Sequence, residues 1–88
     1  MLLQPACRID QWLCATRLVK SRSLAAQMVE SGQVYINDRL ISKPAASLHI
    51  GDRVKLAERF FTVLILGDRR LSFPIARKMY VEKENDLL

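Results

Sequence analysis

The side chains best placed to do chemistry in this sequence are cationic and hydroxylic, and they crowd its first half. Arg8, Arg17, Lys20, Ser21, Arg22, Ser23, Gln27 and Lys43 supply guanidinium, ammonium, hydroxyl and amide donors and no negative charge. Such a set suits a phosphate. Arginine grips it through two parallel hydrogen bonds, and serine and glutamine add neutral donors without charge repulsion. Catalysis needs other company. Cys14 and His49 form no recognisable pair, and no Gly-rich phosphate loop, H-E-x-x-H helix or nucleophile elbow occurs. The carboxylates mostly lie beside basic residues or in turns. Zinc takes about four ligands, and Cys7, Cys14 and His49 do not supply them, so no metal and no cofactor is expected. A disulfide between Cys7 and Cys14 would tie one helical segment to itself and stabilise little, so both read as reduced thiols. His49, beside Ile50-Gly51-Asp52, reads as a turn residue. Binding is the better class.

Two helices must position these donors. The first is expected over about Arg8 to Leu18, with Ile9, Trp12, Leu13 and Thr16 on one side at spacing i, i+3, i+4, i+7. Arg17 lies off that stripe and Arg8 stands at its start. Trp12 sits within the stripe, which makes it a core anchor rather than a base-stacking ring. The second helix has Ser21 as its N-cap and Gly32 in the C′ position. Leu24, Ala25, Met28 and Val29 would face the core, and Arg22, Ser23, Ala26, Gln27 and Glu30 the solvent or a partner. Its N-terminus gathers backbone N–H groups, two hydroxyls, Lys20 and Arg22, all of which favour an anion. Val19-Lys20 is a very short connection, so the pair resembles a helix-turn-helix in outline.

After Gly32 the period changes from 3.6 to 2. Val34 and Ile36 alternate with polar neighbours as a strand, Asn37-Asp38 is a tight turn, and Arg39-Leu40-Ile41 returns as its partner. Arg53 to Leu56 is another strand, with Val54 and Leu56 inward and the basic pair outward. Phe61 to Leu66 is apolar on both faces and is therefore expected to be covered or central. Gly67-Asp68-Arg69-Arg70 is a basic loop. Ser72-Phe73-Pro74 can start a short helix in which Phe73, Ala76 and Tyr80 form an apolar line. Glu82 to Asp86 reads as a frayed polar end.

Composition agrees with a binding role. Eighty-eight residues, half of them apolar, make one small domain with a core of its own. The net charge of +5 is uneven: residues 1–55 hold eight basic and four acidic side chains, whereas the last ten hold one and three. A basic body suits a polyanion, most often nucleic acid. No apolar run approaches the roughly 18–20 residues needed to span a bilayer, and residues 1–7 lack the features of a signal peptide. A cytoplasmic protein without membrane attachment is expected.

The motifs Arg8-Ile9-Asp10-x-Trp12-Leu13, Arg17, Ser21-Arg22-Ser23-x-Ala25, Gly32-x-Val34-x-Ile36-Asn37, Lys43-Pro44 and Gly51-Asp52 together closely resemble the S-four RNA-binding domain, also called the alpha-L RNA-binding motif. The resemblance runs unbroken over residues 8–56. It implies an α+β fold in which two N-terminal helices pack on a small, twisted antiparallel sheet and RNA binds across the helix pair and the adjoining loop. It supports Arg8, Arg17, Lys20, Ser21, Arg22, Ser23, Gln27 and Lys43 as contacts. The remainder, with the Arg69-Arg70 loop, a short C-terminal helix from Pro74 to Tyr80 and an acidic tail, looks like the heat-shock protein fifteen family. That implies a lead-in over 1–7, the RNA-binding domain over 8–66 and an appended 67–88, with no catalytic partner in cis. It further implies a monomeric stress-response factor on the large ribosomal subunit, bound to ribosomal RNA and tRNA during rescue or recycling of stalled ribosomes. Three departures stand out: Gln11 where the family often has Lys, Cys14 where close relatives often carry a second Trp, and Asn37-Asp38 in place of the usual Asn-Gly. Two readings of other classes compete, a DNA-binding helix-turn-helix regulator and a protein-interaction module using the same basic face. With Tyr35 the only plausible stacking aromatic, folded RNA is favoured over single strands.

Overall fold

The computed structural model describes residues 5–67 and 72–83. The expected Asp68–Arg70 part of the basic loop, the tail from Glu84 and most of the lead-in lie outside the described residues, as does the side chain of Phe73.

A short strand β1, Cys7–Arg8, leads directly into helix α1, Ile9–Ala15. This helix is shorter than its apolar stripe. Arg17 adopts the left-handed conformation at φ 62, its N–H donating to the Cys14 carbonyl at 3.0 Å, and that closes the helix early. The stripe is nonetheless buried: Ile9, Trp12 and Leu13 are fully enclosed, and the Thr16 hydroxyl donates back to the Trp12 carbonyl at 2.8 Å. The connection to helix α2, Arg22–Glu30, therefore takes residues 16–21 rather than two residues.

Both ends of α2 follow from its sequence. Ser21 Oγ accepts the Leu24 N–H at 3.1 Å. Gly32, at φ 82, donates to Val29 and Gln33 donates to Met28, which satisfies two of the last carbonyls. Ala25 and Val29 are buried and Met28 packs half-buried against them, but Leu24 is 40% exposed. The helix seats on its narrow Ala25–Val29 line, one turn apart, and Leu24 falls at the margin.

The main sheet is antiparallel, with five strands: β2 (Val34–Ile36), β3 (Arg39–Leu40), β5 (Arg53–Leu56), β6 (Arg59–Val63) and β7 (Tyr80–Lys83), in the order β3-β2-β5-β6-β7. Strand β4, Ser47–Leu48, pairs separately with β1. Asn37 and Asp38 both have positive φ, 51 and 68, as a two-residue hairpin turn of the primed type requires. Strand β6 starts earlier and ends earlier than its apolar run. Beyond Val63, Leu64 and Ile65 are exposed and both donate their N–H to the Met79 carbonyl. The strand is central, flanked by β5 on one side and β7 on the other, but only its Phe61 and Val63 face is buried.

Strand β7 corrects the reading of a frayed end over Glu82 and Lys83. A short helix α3, Phe73–Ala76, and a 3-10 turn, Arg77–Met79, bring the chain back so that Tyr80–Lys83 pairs along β6. Arg59 holds Glu82 through two hydrogen bonds of 2.7 and 2.8 Å. Met79 is buried, and Tyr80 meets Phe61 and Trp12 edge-on at 5.2 and 6.4 Å between ring centroids. Trp12 lies at the centre of this packing, and its indole N–H donates to the Ile65 carbonyl at 2.9 Å. Gly67 permits the close approach: a Cβ there would stand 2.8 Å from Met79 Cε.

Candidate nucleic-acid interface

The corner where β1, α1 and α2 meet is built on one carboxylate. Asp10 is 2% exposed. Arg8 lies side-on to it, Nε donating to Oδ1 at 3.1 Å and Nη2 to Oδ2 at 3.0 Å. Arg22, from the first turn of α2, approaches the same Oδ2 through Nε at 3.4 Å, and the Gln11 N–H donates to Oδ1 at 2.8 Å. Burying a carboxylate is costly unless its charge and lone pairs are answered, and here two guanidinium groups and a backbone donor answer them. The arginines remain open to solvent, with side chains 44% and 50% exposed. Each spends only part of its five-donor fork on Asp10, so the rest can reach a phosphate.

Lys43 joins this corner through the backbone. The Asp10 N–H donates to the Pro44 carbonyl at 3.2 Å and the Ile9 N–H to Ala46 at 2.9 Å, while Arg8 pairs with Ser47 across β1 and β4. The exposed Lys43 is thereby carried beside the start of α1. Ser21, Ser23 and Gln27 continue outward along α2, all exposed, with Ser23 and Gln27 one turn apart. Ser21 has a second duty, since its oxygen caps the helix. Arg17 and Lys20 are exposed in the link between the helices, and Arg17 stands beyond the opposite end of α1 from Arg8. The structure thus groups Arg8 and Arg22 tightly on Asp10, carries Lys43 beside them through the backbone, strings Ser21, Ser23 and Gln27 from that group, and sets Arg17 and Lys20 farther along.

Sequence reasoning missed Asp10 as a member of the site. The signal lay in plain view, an acidic residue two positions from Arg8, but its tie to Arg22 spans twelve positions and appears only in the fold. Of the other carboxylates in this half, Glu30 is exposed at the end of α2 and Asp38, at the hairpin tip, is answered by Arg53 at 2.5 Å. Among the described residues no group of three or more His, Cys, Asp or Glu side chains could hold a metal, and no helix is long and apolar enough to cross a membrane. Cys7 and Cys14 are not joined in a disulfide.

Residues 7–54 match the family model of the S4 domain. A heat shock protein 15 homolog of Aeromonas salmonicida is 37% identical over 84 residues, covering 91% of this chain and 63% of the relative. The chain thus spans under two thirds of that curated relative's length. Heat Shock Protein 15 of Vibrio cholerae, solved as a trimer, superposes with a TM-score of 0.84 at 36% identity, covering 90% of this chain and 83% of that one. A pseudouridylate synthase shares the fold alone, with a TM-score of 0.57 at 15% identity over 25% of its own length. The family match, the identity and the superposition agree, and the chain belongs to the S4 domain family of RNA-binding modules as a relative of heat shock protein 15.

Proposed function

We propose that this protein is a non-enzymatic factor that grips structured RNA of the large ribosomal subunit, ribosomal RNA and tRNA, during rescue or recycling of stalled ribosomes in the cytoplasm. The observation that carries the reading is the Asp10 corner: two half-exposed arginines held by one buried carboxylate, with Lys43 and the serine-rich head of α2 beside them. Paired guanidinium groups at fixed separation suit the phosphate backbone of a folded RNA, which is read by shape rather than by base edges. The ribosomal part of the reading rests on what the resemblance to the heat-shock protein fifteen family implies, and kinship with heat shock protein 15 supports the family placement alone. The DNA-reading alternative fits less well, because Arg22 is turned toward Asp10 and α2 offers only Ser23, Gln27 and Glu30 besides.

The experiment is sedimentation of tagged protein from stressed-cell lysate through a sucrose gradient, with and without Arg22→Glu. Co-migration with the free large subunit, lost in the variant, supports the reading. Both forms remaining at the top at low salt would sink it.

A further inference from the structure

The helices cover only one face of the main sheet. Paired residues in an antiparallel sheet share a face. The register therefore lines up Leu40, Tyr35, Lys55, Phe60 and Lys83 in one row across all five strands. Their chain neighbours Val34, Ile36, Val54, Leu56 and Phe61 are buried in the core under the helices, so this row looks the other way. A second outward row adds Arg53, Thr62 and Val81. Neither row contains a carboxylate, and the charge of Arg53 is answered by Asp38 at the hairpin tip, so among the described residues the unanswered cations of the face are Lys55 and Lys83. Glu82 pairs with Phe61 and so belongs to the other face. Tyr35 and Phe60 are half-buried rings, and Lys55 Nζ sits between them, 5.1 Å from the centroid of the first and 5.6 Å from that of the second.

We infer that this outward face is a second nucleic-acid surface, one that binds unpaired nucleotides of single-stranded RNA by stacking bases on Tyr35 and Phe60 and setting phosphates on Lys55 and Lys83. Rings supply a sequence-tolerant platform and interleaved cations track the backbone, the combination found where sheets bind single strands. In the sequence Tyr35 stands as a lone stacker because Phe60 lies 25 positions away, and the register makes them next-but-one neighbours across β5. An apolar protein partner is less well served, since the row alternates rings with lysine and leaves Leu40 and Val81 at its margins. The inference concerns a different face from the Asp10 corner and stands without the ribosomal assignment.

The test is titration of the full chain with a labelled oligouridylate of about twelve nucleotides, a length within known single-strand site sizes, alongside a structured stem-loop. Tyr35→Leu and Phe60→Leu keep apolar bulk on the strands and remove the ring faces. Each is expected to lower oligouridylate affinity roughly five- to a hundredfold, with stem-loop binding unchanged and Tyr35→Phe binding like the parent. Arg22→Glu is expected to do the reverse, weakening the stem-loop and sparing the oligouridylate. Lys55→Gln, an exposed-face change that leaves the core intact, should lower the slope of log affinity on log salt by about 0.7. Oligouridylate binding indifferent to both leucine variants, or an unchanged salt slope in Lys55→Gln, would overturn the inference. Sedimentation velocity showing self-association that Lys55→Glu disrupts, with no effect of oligouridylate, would also overturn it and assign the face to a second copy of the chain.

Discussion

At the scale of single residues, Asp10 separates two accounts of how the basic face works. If affinity followed charge alone, Asp10→Ala would tighten RNA binding by removing a negative charge. The geometry predicts the opposite, because Arg8 and Arg22 lose the carboxylate that orients them and must be ordered again on binding. Affinity for a stem-loop should fall about tenfold, the equivalent of ~1.4 kcal/mol. Stability should fall by about 1–3 kcal/mol, since the Gln11 N–H is left without its partner. Fluorescence titration and urea unfolding of the same sample read both effects. The arginines were legible in the sequence from residue type and spacing, whereas the role of Asp10 was not, because its second partner comes from another helix.

At the scale of elements, legibility follows local chemistry. Helix α2 carries its start and stop signals in Ser21 and Gly32, and the hairpin carries its own in Asn37-Asp38, so both were readable. The end of α1 was not, because the left-handed residue there is Arg17 rather than glycine. Strand β7 was hidden for another reason: it is an edge strand whose last three residues are exposed, and its anchor is the distant Arg59. Those two hydrogen bonds hold the Glu82 carboxyl below its ordinary range and raise Arg59 further. A depressed carboxylate stabilises the fold above its unfolded pKa, and that contribution is lost as pH falls through the folded value. Acidification through and below 4.5 should therefore loosen β7. Both side chains are about half exposed, so the contribution is below about 1 kcal/mol. Amide exchange at Val81, Glu82 and Lys83, corrected for intrinsic rates, should quicken on acidification relative to β5, and Glu82→Gln should remove that pH dependence.

At the scale of the whole molecule, Trp12 links the helix layer to the sheet, buried among core residues from both and bonded to the Ile65 carbonyl. Trp12→Ala should cost about 3–5 kcal/mol through the cavity it leaves, against a total of roughly 5–15 kcal/mol for a domain of this kind. Equilibrium urea unfolding measures the loss, and a variant as stable as the parent would misplace the ring. The Asp10 corner depends on a longer reach still. Ile9 and Asp10 donate their backbone N–H groups to Ala46 and Pro44, and Cys7 pairs with Leu48. These are contacts between the two ends of a forty-residue interval. On a chain made from its N-terminus, the arginines and their carboxylate are synthesised early, but the corner cannot close until the segment ending at Leu48 has emerged. A nascent chain ending just past Lys43 carries Arg8, Asp10, Arg22 and Lys43 but lacks the Ala46 and Leu48 partners that close the corner. On the proposed reading the affinity for RNA is switched on by translation reaching mid-sequence, and a fragment ending near residue 44, with the corner's charges but not its closing partners, should bind RNA far more weakly than one ending near residue 83.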